Sequence, residues 1–233
     1  MNVQLFIPCF VDQLYPDTAW NMTRVLEKCG CVVHYNPAQT CCGQPAFNAG
    51  YRDECLPVAA KFARDFDSNE YIVAPGGSCT GFVRNYFGEL LGSRQRVQEQ
   101  LYEFSEFLTG ILHIKDLGAE LPGRAVYHDA CSALRECGIK EAPRKLLRHV
   151  KGLELGEAGD CEVCCGFGGS FAVKFEGISA GMAEQKVMNA VAAGADYIIS
   201  TDLSCLMQLE GYIKRHNYPL KTMHIADVLA SGW

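Results

Sequence analysis

The strongest constraint in this chain is a repeated triplet. Cys41-Cys42-Gly43 recurs as Cys164-Cys165-Gly166, and each copy sits inside the same longer frame. Cys9 lies 32 residues before Cys41 and Cys79 lies 37 after Cys42, while Cys131 lies 33 before Cys164 and Cys205 lies 40 after Cys165. The flanks agree as well: Tyr71-Ile72-Val73-Ala74 leads to Ser78-Cys79 as Tyr197-Ile198-Ile199-Ser200 leads to Ser204-Cys205. Such a frame implies an internal duplication, in which each half folds the same way around its own four cysteines. The halves are 1–118 and 119–233, joined near Leu117 to Gly123.

The hydrophobic pattern gives the halves their architecture. Val3 to Ile7, Cys31 to Tyr35 and Tyr71 to Ala74 are short β-rich runs. Between them, Pro16 to Lys28 and Glu54 to Phe66 carry apolar residues at helical spacing. Pro75-Gly76-Gly77-Ser78 reads as a loop, and helical spacing dominates from Thr80 to Leu91 and from Arg94 to Lys115. The second half repeats this with strands at Arg124 to Tyr127, Leu153 to Leu155, Tyr197 to Ser200 and Leu220 to Met223. Its helices are expected over Ala142 to Val150, Ile178 to Ala193 and Leu203 to Arg215. Strands alternating with helices imply an α/β fold of two tandem, pseudo-symmetric βαβ-type lobes with parallel sheets. Sites in such sheets collect at the carboxyl ends of strands, where all four cysteines of one frame can converge.

Bulk properties exclude several classes. The net charge of −6, without a long basic run, gives non-specific nucleic-acid binding little support. The most basic stretch, Lys140 to Lys151, reads as a solvated helix face, with docking of an acidic partner as the alternative. No uninterrupted apolar segment approaches the roughly 18 to 20 residues a membrane span needs. Met1 to Pro8 reads as a strand rather than a secretory signal, so a cytoplasmic protein is expected. In that compartment thirteen cysteines, an odd number, point to metal ligands or redox thiols rather than disulfides.

The duplication sorts those thirteen. Cys9 pairs with Cys131, Cys41 with Cys164, Cys42 with Cys165 and Cys79 with Cys205, and these eight are the candidate metal and cofactor ligands. Cys29, Cys31, Cys55, Cys137 and Cys161 have no counterpart and are expected to pack as small apolar side chains. Cys161 stays open as a substitute ligand, because Cys161-x-x-Cys164 has zinc-type spacing. Four thiolates per site suit tetrahedral zinc or an iron–sulfur cluster. Adjacent cysteines favour the cluster, since neighbouring residues seldom aim both sulfurs at one small ion. The glycine after each pair can take positive φ and bring bare backbone N–H groups against sulfur. Gly166-Phe167-Gly168-Gly169-Ser170 lacks dinucleotide-loop spacing and reads as a cover for the site. His128 stands opposite Phe6 and reads as a satisfied strand-end histidine, with site tuning or proton shuttling as the alternative. No catalytic frame of Ser, His and Asp stands out.

These residues resemble the cysteine-rich CCG domain family, found in the cysteine-rich component of heterodisulfide reductase and in the iron–sulfur subunits of glycolate and glycerol-3-phosphate oxidases. With two copies filling the chain and no ferredoxin segment attached, it resembles the lactate utilization protein A branch. The resemblance rests on Glu27-Lys28-Cys29-Gly30, Cys41-Cys42-Gly43-Gln44-Pro45-Ala46, Gly77-Ser78-Cys79-Thr80, Gly123-Arg124-Ala125-Val126-Tyr127-His128, Cys164-Cys165-Gly166-Phe167-Gly168-Gly169 and Met223-His224-Ile225-Ala226. It implies an iron–sulfur electron-transfer subunit of an L-lactate dehydrogenase complex that oxidises L-lactate to pyruvate. The implied partners are a ferredoxin-like iron–sulfur protein and a third lactate-utilization subunit. The implied cofactor is one cluster per lobe, of the 4Fe-4S type. Cys9, Cys41, Cys42 and Cys79 would hold the first, and Cys131, Cys164, Cys165 and Cys205 the second. One alternative is a scaffold holding zinc at one or both sites, and another is a thiol-active enzyme of the heterodisulfide reductase kind. The family's fullest motif carries a fifth cysteine, and Gly76 and Asp202 stand in its place here. Asp202 could ligate through oxygen or cap a loop.

Overall fold

In the computed structural model, which describes residues 1–233, the chain forms two four-stranded sheets, each parallel throughout. The first half runs β1 (Asn2–Leu5), α1 (Cys9–Leu14), α2 (Pro16–Lys28), β2 (Val32–Tyr35), α3 (Gln44–Asn48), α4 (Arg52–Asp65), β3 (Tyr71–Ala74) and α5 (Gly77–Leu90). It closes with α6 (Val97–Gln100), β4 (Leu101–Glu103) and α7 (Phe104–Glu106), which runs on into one π turn, Phe107–Ile111. The second half follows with β5 (Glu120–Tyr127), α8 (Cys131–Cys137), α9 (Glu141–Leu147), β6 (Lys151–Gly156), α10 (Ser170–Lys174), α11 (Glu176–Ala192), β7 (Tyr197–Ser200), α12 (Leu203–His216), β8 (Lys221–His224) and α13 (Ile225–Leu229).

The sheets have the same topology, β2-β1-β3-β4 and β6-β5-β7-β8. Register repeats residue by residue: Val3 pairs with Tyr71 and Leu5 with Val73 in one, as Ala125 pairs with Tyr197 and Tyr127 with Ile199 in the other. The duplicated cysteine frame is thus matched by a duplicated fold. Because every strand of a sheet points the same way, all its carboxyl ends lie along one edge.

Local chemistry accounts for the main elements. In α2, Pro16 supplies a fixed φ at the first turn. Met22, Val25 and Leu26 then form one buried stripe against the sheet, each worth about 1.5–3 kcal/mol of burial. Gly30, at φ +81°, turns the chain into β2. One core joins the halves: Val3, Leu5, Met22 and Leu26 pack in the same cluster as Val126, Ile199, Leu206 and Leu229. The other face of the first sheet carries a separate cluster of Phe6, Cys42, Phe62, Phe66, Phe82 and Phe87. No helix is long and apolar enough to cross a membrane.

Four local expectations change. Arg94 to Lys115 is not helical throughout, because Leu101, Tyr102 and Glu103 add a fourth strand beside β3, with Leu101 and Glu103 buried. Pro75-Gly76-Gly77-Ser78 is a loop only to Gly76, and Gly77 already opens α5. Short helices α1 and α8, absent from the periodicity, begin directly at Cys9 and Cys131. The basic stretch from Lys140 is not a uniformly solvated face: Arg144 turns inward and its guanidinium is buried against Asp129.

Candidate metal centres

Each cysteine quartet is assembled by the same three elements, the Cys-Cys-Gly turn supplying two of the four. Cys9 and Cys131 are the first residues of α1 and α8, just past the ends of β1 and β5. Cys79 and Cys205 are the third residues of α5 and α12, just past β3 and β7. The Cys-Cys-Gly turns lie beyond β2 and β6. The positive ends of the fourteen-residue helices α5 and α12 therefore face sulfur, which favours negative charge there.

In the first half the thiols form a chain of contacts. Cys9 hydrogen bonds with Cys41, Cys41 with Cys42, and Cys42 Sγ stands 3.3 Å from Cys79 Sγ. The second half repeats the order as Cys131 to Cys164, Cys164 to Cys165, and Cys165 to Cys205. All eight sequence-derived candidates come together, four and four.

The glycine of each triplet has the conformation its role requires. Gly43 has φ +97° and Gly166 has φ +89°, and each donates its N–H to the first cysteine of its pair at 3.4 Å. Bonds from Cys42 and Cys9, with the Gly43 and Cys42 amides, hold the Cys41 thiol down at about 2. Bonds from Cys131 and Cys165, with the Gly166 amide, hold Cys164 at about 2. Mutual hydrogen bonding and burial push Cys9, Cys42, Cys131 and Cys165 upward. The thiols of each quartet thus share their protons unequally, and a cation entering the site replaces those protons.

The unpaired cysteines divide. Cys55 is buried and donates its thiol to the carbonyl of Gly43 at 3.4 Å, and Ser179 Oγ does the same for Gly166 at 2.8 Å. This pair supports the two turns; sequence alignment of the halves missed it because the residue types differ. The Cys137 thiol reaches the carbonyl of Gly77 at 3.6 Å. Cys29 is half-buried at the end of α2, and Cys31 is buried just before β2. The Cys161 thiol hydrogen bonds with Glu157 and Asp129, outside the contact chain of the second quartet. Its backbone carbonyl receives the Asp129 N–H at 3.2 Å.

Asp202 reaches across to the first half. Its Oδ1 accepts from Ser78 Oγ at 3.0 Å, and the amides of Gly77 and Ser78 also hydrogen bond to it. A side chain of the second half therefore caps α5 of the first, while burial pushes its carboxyl up. Gly76 lies against the same carboxylate: a Cβ there would stand 3.0 Å from Asp202 Oδ1. His224 bridges the same seam, its Nε2 2.9 Å from the carbonyls of both Pro75 and Thr201. Phe10, next to Cys9, meets Phe167, next to Gly166, with ring centroids 6.0 Å apart. Residues flanking the two quartets thus meet across this seam.

His128 is not the satisfied strand-end histidine that its position suggests. It is 3% exposed, neither ring nitrogen has a hydrogen-bond partner, and a ring nitrogen lies with the Cys165 and Cys205 sulfurs inside 4.8 Å of one another. Burial pushes it down to about 3, and nearby Lys186 acts in the same direction.

The donor sets suit a thiolate-bound metal group. Four convergent thiols, backbone N–H groups aimed at sulfur and a buried imidazole without a protein partner leave the second site chemically incomplete on its own.

Comparison with known proteins agrees with this geometry. The model of the cysteine-rich (CCG) domain matches twice, over residues 3–84 and 125–210. Lactate utilization protein A of Anoxybacillus flavithermus is 42% identical over 98% of this chain and 99% of its own. The protein of that name from a Geobacillus species is 41% identical over 99% and 100%. Lactate utilization protein A 2 of Bacillus cereus is 38% identical over 100% and 99%. Among solved structures, a hypothetical protein from Helicobacter pylori aligns with a TM-score of 0.65 at 10% identity. That match covers 100% of this chain, which spans about half (49%) of that protein, and supports the fold alone.

Proposed function

Because the chain belongs to the cysteine-rich CCG domain family, in the lactate utilization protein A branch, we propose that it is the iron–sulfur electron-transfer subunit of a complex oxidising L-lactate to pyruvate. Cys9, Cys41, Cys42 and Cys79 hold one cluster, and Cys131, Cys164, Cys165 and Cys205 the other. The units 1–118 and 119–233 each carry one site. The observation that carries this reading is the repeated contact chain of four thiols at the same four places in each half.

Oxidation of lactate to pyruvate releases two electrons and two protons, and clusters of the 4Fe-4S type supply one-electron carriers for them. The chain's own part is to hold sulfur and stabilise its charge, through the α5 and α12 N-termini and the Gly43 and Gly166 amides. The partners are a ferredoxin-like iron–sulfur protein and a third subunit, working in the cytoplasm. A specific observation favours zinc as the second reading. The 3.3 Å separation of the Cys42 and Cys79 sulfurs, and the 4.8 Å grouping of His128, Cys165 and Cys205, are on the scale of a single-ion site. A five-thiolate, disulfide-reducing site has no such support, since Gly76 and Asp202, neither of them a thiol, stand at the fifth position.

Purification without oxygen separates these. Iron with acid-labile sulfide in a brown protein supports the electron-transfer reading, and a colourless protein with stoichiometric zinc overturns it. Cys165→Ser should bleach half the colour; loss of all of it, or none, counts against independent sites.

A further inference from the structure

His128 and Phe6 hold the same position in the two halves. Each follows the first strand of its sheet by one residue, and each precedes a quartet cysteine by three. The backbone places them alike, for Phe6 donates its N–H to the Val73 carbonyl at 3.0 Å and His128 to the Ile199 carbonyl at 2.8 Å. The side chains differ in kind. Phe6 packs edge-on against Phe62, with centroids 4.7 Å apart, in the apolar cluster that also contains Cys42. His128 buries two nitrogens that the protein leaves without a partner, beside the sulfurs of Cys165 and Cys205. Burying polar atoms unpaired is unfavourable, so a group arriving at the site has to complete them.

We propose that His128 donates a ring N–H to a sulfur of the loaded second site, and that this asymmetry gives the second site a higher reduction potential than the first. The inference rests on the iron–sulfur reading. Four thiols already supply a ligand for each iron of a four-iron cluster, which leaves the imidazole the role of donor to sulfur rather than of ligand. A hydrogen bond to sulfur draws off the negative charge that reduction adds, and so stabilises the reduced state. The first site has the matching backbone donor, Gly43 at the same 3.4 Å as Gly166, but only a phenyl ring where the imidazole stands. Lys186, whose Nζ donates to the Asp160 carbonyl, lies on the same side of the second site and stays in place when His128 is exchanged.

The test is a reductive titration of the full-length protein, purified and reconstituted without oxygen and followed by electron paramagnetic resonance. Wild type should show two waves. His128→Phe should move the higher-potential wave down towards the other and leave the lower one in place, while His128→Gln, which keeps an N–H, should fall between. Pulsed resonance on wild type carrying isotopically labelled histidine should show weak nitrogen coupling at the higher-potential cluster, which decides the matter even where His128→Phe fails to load. Coincident waves, a shift confined to the lower wave, or absent coupling would overturn the proposal and leave the electron-transfer reading standing. A protein without iron overturns both, and metal content reveals that before any titration.

Discussion

Ser78 and Asp202, from opposite halves of the chain, meet at 3.0 Å, and through them the start of α5 is capped by the second half. The contact lies where the two positions of the absent fifth cysteine, Gly76 and Asp202, come together across the pseudo-twofold. Ser78 adjoins Cys79, and Asp202 precedes Cys205 by three residues. This contact therefore joins the start of the helix bearing Cys79 to the residue that precedes the helix bearing Cys205.

Removing that cap should destabilise the first site from the second half. Asp202→Ala loses an N-terminal cap, an effect of about 0.5–2 kcal/mol. Asp202→Asn keeps an oxygen acceptor and relieves the burial of charge, so it should stay near wild type. Thermal unfolding measures this: equal midpoints for Asp202→Ala and wild type would exclude the capping role.

The two triplet glycines should respond unequally to alanine. Both incur the left-handed penalty of about 1–2 kcal/mol. The added Cβ at Gly43 would lie 2.8 Å from Cys55 Sγ, a thiol that can rotate away. At Gly166 it would lie 2.7 Å from the Ser179 carbonyl, which is backbone of α11 and cannot. Gly166→Ala should therefore lose more stability and more second-site metal than Gly43→Ala loses at the first. Denaturant unfolding and metal content of both variants check the order.

Much of this site was legible in the sequence because metal-site geometry follows spacing, and the duplication kept the spacing twice. Cysteines placed after strand ends converge once the strands are parallel. What supports them was not legible. Cys55 and Ser179 perform one task with different atoms, so comparing the halves hid the pair. The inward turn of Arg144 from α9 depends on Asp129 arriving from the end of β5. β4 is three residues long, and its neighbour β3, not its own periodicity, makes it a strand.

Arg144 gives a larger prediction. Its guanidinium meets both oxygens of buried Asp129 at 2.7 Å, and Asp129 stands two residues before Cys131. Arg144→Met strands the Asp129 carboxylate, a loss of about 3–5 kcal/mol. The double variant Arg144→Met with Asp129→Asn should regain part of it, because no full charge is then left buried. A double variant no more stable than Arg144→Met alone would show that the pair's charge is not what matters.

Glu103 should make stability fall with rising pH. It is fully buried at the end of β4, where its Oε2 accepts from the Ser105 and Glu106 amides while Oε1 has no partner. Burial outweighs those bonds and pushes its carboxyl up to about 7. Between the ordinary carboxylate range and about 7 the folded chain holds a proton here that the unfolded chain has released. Folded protein therefore binds more protons than unfolded, and raising the pH through that window destabilises it. The contribution is on the order of 3 kcal/mol, fully present below the unfolded value and gone above the folded one. Glu103→Gln cannot ionise, and its amide oxygen still accepts from the same two amides. Denaturant unfolding at about pH 5 and about pH 8, on either side of that window, should show wild type losing stability relative to the variant as pH rises. Parallel curves would mean that Glu103 does not titrate there.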